Sequence, residues 1–138
     1  MTKTGKMELM APAGNFESLQ AALDNGADSV YFGVDQLNMR ARASINFTMG
    51  DLPEIVERCE AQGVRSYLTL NTIIYDHDLS LIKNLLDQAK AANITAVIAM
   101  DQSVIAYARQ IGMEVHISTQ INVTNIETVK FYAMFADT

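Results

Sequence analysis

The sequence predicts an α/β protein: a parallel (β/α) TIM-type barrel of which this chain supplies the N-terminal five βα units, without closing it. Three observations lead there. Short apolar runs alternate with longer segments of helical periodicity. Each helical segment ends at a Gly or Asn that a β-rich run follows at once. Several strands carry one polar face, which suits a barrel lumen better than an open sheet covered on both sides.

The elements can be read in order. A first strand is expected at 7–10, followed by a helix that starts at Phe16 and is capped by Asn15. Gly26 closes that helix ahead of a strand at 28–32. A second helix presents Leu52, Ile55, Val56 and Cys59 at i, i+3, i+4 and i+7, one amphipathic face. Asp51 with Glu54, or Thr48 with Asp51, caps it, and Gly63 ends it before a strand at 64–70. A third helix, with Leu79, Ile82, Leu86 and Ala89 in register, is expected to start at Asp76. Asn93 ends it before a strand at 95–100. Asp101 caps a fourth helix carrying Ile105, Ala108 and Ile111, which Gly112 ends before a strand at 113–118. Thr124 and Glu127 have capping-box spacing for a fifth. Right-handed crossovers join parallel strands in such an order.

The polar faces are specific. Arg65, Tyr67, Thr69 and Asn71 share one face of the third strand, and Glu114, His116 and Ser118 share one face of the fifth. Glu8, Arg65 and Glu114 fall near the N-terminal strand ends and are expected to form an ion-pair cluster on the barrel floor. An eight-stranded barrel takes about 250 residues, so residues 1–138 read as one partial domain of a larger protein. The first and fifth strands are expected to have open edges, through which the fragment could self-associate.

Bulk properties narrow the function. A hydrophobic fraction of 49% supports a packed core, and a net charge of -6 argues against a broad electrostatic grip on nucleic acid or membrane. The single Cys59 can neither form an internal disulfide nor complete a cysteine-ligated metal site, so no metal is expected within the chain. No apolar run approaches the roughly 20 residues of a membrane span, and no secretory h-region opens the chain. The reading is cytoplasmic. H-E-x-x-H, G-x-S-x-G, P-loop and G-x-G-x-x-G motifs are absent.

Barrel enzymes place reactive groups at the C-terminal strand ends. Asn71, Asp101 and, just below the rim, His116 are the catalytic candidates there. Asp101 serves equally as a helix cap, and His116 as a hydrogen-bonded core imidazole. Ser118, Thr119, Gln120 and Asn122 follow the fifth strand as substrate-binding candidates. The roughly fifteen-residue loop at 33–47 is long for a βα connection. It adds Asn38, Arg40 and Arg42, a candidate anion or carboxylate clamp.

Five blocks then carry a resemblance: MELMAPAGNFESLQAALDNGADSVYFG, LNMRARASINFT, YLTLNTIIYD, VIAMDQSV and HISTQINVTN. In this order they resemble the N-terminal barrel portion of the collagenase-like peptidase family, number thirty-two among peptidases of unknown mechanism. The family motifs fall on Ala11, Pro12, Ala13, Gly14, Asn38, Arg40, Asn71, Asp101, His116, Ser118, Thr119, Gln120 and Asn122. Members are named proteases or collagenases. Others act in hydroxylation of ribosomal RNA, of tRNA wobble uridine or of the ubiquinone ring. The resemblance implies an iron–sulfur cluster on cysteines further along than this chain reaches, and none within it. For the tRNA branch it implies a dicarboxylate ligand, prephenate, which Arg40 and Arg42 would suit. The expected full-length protein is an enzyme with a peptidase name and RNA hydroxylation as its chemistry. The alternative is a non-catalytic half-barrel that binds a partner or itself.

Overall fold

The computed structural model describes residues 5, 7–35 and 47–138. Strands β1 (Met10–Pro12), β2 (Ser29–Phe32), β3 (Arg65–Leu70), β4 (Ala96–Ala99) and β5 (Glu114–Ile117) alternate with five helices. The helices are α1 (Phe16–Asp24), α2 (Leu52–Glu60), α3 (Leu79–Ala91), α4 (Gln102–Gln110) and α5 (Ile126–Tyr132). The strands form one parallel sheet in the order β1-β2-β3-β4-β5. A doubly wound sheet reverses its strand order at a switch point. Here each strand pairs with its predecessor and no reversal occurs among the described strands, as in a barrel wall.

The two faces of the sheet differ as the side-chain alternation requires. The register aligns Phe32, Leu68 and Val97, and Val97 with Val115, on one face. All four are buried and join Leu19, Ile55, Leu85, Leu86 and Val104 in the core under the helices. Cys59 lies in that core. The opposite face carries Tyr31, Tyr67, Ala96 and Glu114 in register.

The helix stops are the predicted ones. Gly26, Gly63, Asn93 and Gly112 take φ values of 83°, 67°, 65° and 71°, the left-handed conformation that ends a helix and turns the chain into the next strand. At the start of α1, the Asn15 side chain accepts from the Ser18 N–H at 2.8 Å and the Ser18 hydroxyl accepts from the Asn15 N–H at 3.1 Å. Replacing Asn15 with Ala should cost about 1 kcal/mol, read as a lower denaturation midpoint with an unchanged slope.

Several boundaries differ from the sequence reading. The first strand is Met10–Pro12 rather than 7–10. Pro12 lacks an N–H, but β1 has a ladder partner on one side only among the described strands, and the next N–H, of Ala13, bonds Tyr31 at 2.9 Å. Asp76 does not cap α3. A short 3₁₀ turn spans Asp76–Asp78, and the helix proper begins at Leu79. Asp51 accepts from the Thr48 N–H at 2.7 Å, which selects the Thr48–Asp51 pairing before α2. The α5 cap is Asn125, accepting from the Thr128 N–H at 2.9 Å, not Thr124 with Glu127.

The β5 edge is also less open than expected. The Asp137 N–H donates to the Val115 carbonyl at 2.8 Å, and the Ile117 N–H donates to the Thr138 carbonyl at 2.7 Å. Residues 137–138 thus lie along β5 as the next strand of a parallel sheet would.

Candidate functional site

The inner face holds a connected polar floor. Glu8, just ahead of β1, forms an ion pair with Arg65 at the start of β3. The Tyr67 hydroxyl donates to Glu8 Oε1 at 2.7 Å, and the Arg65 guanidinium lies 5.5 Å from the Tyr67 ring centroid. Partial burial raises the Glu8 carboxyl, but the Ser29 and Tyr67 hydroxyls, the Arg65 guanidinium and His116 together outweigh it and hold its pKa below the ordinary value. The Tyr67 hydroxyl is pushed up, first by burial and then by the acceptor it serves. Ser29 is fully buried beside this pair.

His116 enters the same floor from β5. Its side chain is 12% exposed, Nε2 lies 2.7 Å from Glu114 Oε1, and its ring meets Tyr67 edge-on at 4.7 Å. The expected cluster of Glu8, Arg65 and Glu114 therefore needs correction. Glu8 and Arg65 pair, but Glu114 turns to His116, two residues along its own strand and on the same face. Tyr67 is the hub that joins the two pairs.

The mouth lies at the opposite ends of the strands. After β1, Ala13 is buried, and the Gly14 N–H donates to the Ser18 hydroxyl at 2.9 Å. Asn71 is half-buried at the end of β3. Asp101 caps α4: its Oδ1 accepts from the Ser103 N–H at 2.8 Å and from the Ser103 hydroxyl at 2.5 Å. Ser118 is buried, and its Oγ accepts from the Gln120 N–H at 3.3 Å. Asn122 takes a left-handed φ of 56°, and its side-chain amide donates to the Gln120 carbonyl at 3.2 Å. Ser118, Thr119 and Asn122 line a groove of about 640 Å³ with Val129, Tyr132 and Thr138. Gln120 is exposed outside that lining. His116, Asp101 and Asn71 are absent from it as well, so the structure separates floor, cap and groove. Asn38, Arg40 and Arg42 lie outside the described residues.

These groups can accept from and donate to a polar ligand at the rim while the floor network holds the strands beneath. Comparison with known proteins sets this geometry in a lineage. The profile described as peptidase family U32 matches residues 14–136. The chain belongs to peptidase family U32. This U32 chain is 55% identical over 130 residues to a protein named collagenase from Porphyromonas gingivalis, a match covering 94% of the chain and 31% of that protein. It is 34% identical over 131 residues to the tRNA hydroxylation protein P1 of Bacillus subtilis, again 94% of the chain and 31% of the relative. The solved structure of a U32 peptidase superposes with a TM-score of 0.72 at 15% identity, covering 99% of this chain and 59% of that one, and so shares the fold. The U32 chain thus spans under a third of the length of these two relatives.

Two features escaped the sequence reading. Tyr67 was placed on the inner face, but nothing in its spacing names Glu8, far away in sequence, as its partner. The loop from β3 to α3 also holds a stacked Tyr75–His77 pair. His77 itself is exposed.

Proposed function

We propose that the full-length protein containing this chain hydroxylates RNA, and that these residues form part of the mouth that holds the nucleoside. The state of the inner histidine carries the reading. A hydrolytic site needs a nucleophile within hydrogen-bond reach of its base. The Nε2 of His116 is committed to Glu114, and its ring rests against Tyr67 rather than against a hydroxyl or thiol. Among the described residues at the mouth, the Ser103 hydroxyl donates to Asp101 and Ser118 Oγ accepts from the Gln120 N–H, while His116 bonds Glu114 rather than either serine. Cys59 lies under the helices, where burial, helped by Glu60, pushes its thiol up to about 11.

The groove at Ser118, Thr119 and Asn122 offers the hydroxyl and amide groups that read the edges of an unpaired base. The name of the Bacillus subtilis relative supports the same class of substrate. Arg40 and Arg42 are the residues we assign to a small dicarboxylate ligand. The cytoplasm is the compartment such a substrate implies. No helix among the described residues is long and apolar enough to cross a membrane.

An iron–sulfur cluster does not fit this chain. Its one thiol is buried on the helix side, and no three His, Cys, Asp or Glu side chains converge among the described residues. The ligands of any cluster would belong to residues outside it.

The test is mass spectrometry of nucleosides from RNA of a strain lacking the full-length gene, with and without its return. Loss and restoration of a hydroxylated pyrimidine is the expected result. Unchanged nucleosides together with cleavage of collagen by the purified protein would overturn the reading in favour of a peptidase.

A further inference from the structure

The segment from Asn71 to Asp78 joins β3 to α3 on the mouth side of the sheet. Two of its rings stack. The Tyr75 and His77 centroids are 5.8 Å apart, and their planes lie within 2° of parallel. Burial does not explain the pair: Tyr75 is 61% exposed and the His77 side chain 80%. Ile73 beside them is 66% exposed.

One carboxylate reaches both residues, through the backbone of Tyr75 and the ring of His77. Asp78 Oδ2 accepts from the Tyr75 N–H at 3.0 Å, and Asp78 Oδ1 lies 3.4 Å from His77 Nε2. Asp78 is itself partly buried at the foot of α3. The pair is therefore held before any ligand arrives. Parallel rings at this centroid distance are offset rather than eclipsed, so each keeps open π surface. A third flat ring can extend the stack.

We propose that Tyr75 and His77 form a stacking platform for an unpaired nucleobase at the barrel mouth. The proposal rests on the RNA reading above and adds to it the residues that hold a base. Aromatic side chains accept any base, because every base has a π face. The neighbouring Asp76 carboxylate is exposed and suits the exocyclic amino group of cytosine or adenine as an acceptor. Asp76 and Asp78 also repel phosphate. The platform therefore takes the base, and its contribution to affinity is nearly independent of salt. A peptide is the less favoured occupant, because the offset rings present a flat surface rather than a groove.

The experiment uses the full-length protein and a fluorescein-labelled twelve-nucleotide single-stranded RNA, followed by anisotropy. Tyr75→Ala should weaken binding about tenfold and His77→Ala several-fold, whereas Tyr75→Phe should stay within about twofold. The slope of log Kd against log salt should not change in any of them. Both rings are exposed, so thermal unfolding of the variants should superpose on that of the wild type.

A wild-type Kd for Tyr75→Ala would overturn the platform. So would a loss shown only with a proline-rich collagen peptide as the probe. If the wild type bound no RNA, the platform and the RNA reading would fall together. If RNA binding showed the Tyr75 dependence while cellular nucleosides were unchanged by gene deletion, the platform would stand and the hydroxylation reading alone would fall.

Discussion

Leu68→Ala should destabilise the chain by about 3 kcal/mol. Leu68 is fully buried at the middle of β3, between Phe32 of β2 and Val97 of β4, on the face that meets the helices. Truncation removes its methyl groups from the core and leaves a void that flanking strands, fixed by their ladders, cannot collapse to fill. Urea denaturation should show a lower midpoint with an unchanged slope. Leu68→Met keeps the volume and should cost less than about 1.5 kcal/mol. Equal losses for the two variants would mean that β3 is not the packed centre described above.

The second large effect is at Tyr67. Tyr67→Ala should cost about 4 kcal/mol, because it empties a buried aromatic site. Tyr67→Phe keeps the ring and removes only the donor to Glu8. Its cost should be about 1 kcal/mol, discounted because the Glu8 side chain is 35% exposed.

The two variants also predict a pH profile. Glu8 has a folded pKa below its ordinary value of 4.5, so its contribution is present above that value and is lost as pH falls through the folded pKa. Tyr67 is raised above its ordinary value of 10.0, so its contribution is present below 10.0 and is lost as pH rises through the folded pKa. One hydrogen bond therefore shapes both limbs of the stability curve. Tyr67→Phe should remove its alkaline limb and shrink the acid one. An unchanged alkaline limb in that variant would assign the limb to another group.

The fold was legible because its punctuation is local. Four residues at positive φ ended four helices at the positions their types suggested, Gly26, Gly63, Asn93 and Gly112. The polar faces of β3 and β5 followed from alternation alone. Errors came where neighbouring residues offered the same chemistry. Thr124–Glu127 and Asn125–Thr128 have equal spacing, and only the backbone geometry chose Asn125. At α3 the Asp78 side chain reaches back to the Tyr75 N–H and closes the 3₁₀ turn ahead of the helix, where the sequence had put a cap at Asp76.

The site was less legible because it depends on contacts distant in sequence. Glu8 and Tyr67 meet only after β1, β2 and β3 align, and no spacing rule connects them. The Tyr75–His77 stack depends on the path of a loop, which residue types alone do not specify. Asp101 was weighed equally as a cap and as a ligand partner. Its bonds to Ser103 establish the cap.

The strand order carries a consequence for how the chain is made. Every described strand pairs with the one before it in sequence. During synthesis, each strand leaves the ribosome with its partner already emerged and only one βα unit of chain to close. The sheet can therefore be laid down in the direction of translation, each new strand docking on the edge its predecessor left open. Each closure then spans a single βα unit, and only the final seam of a closed barrel must join residues made far apart in time.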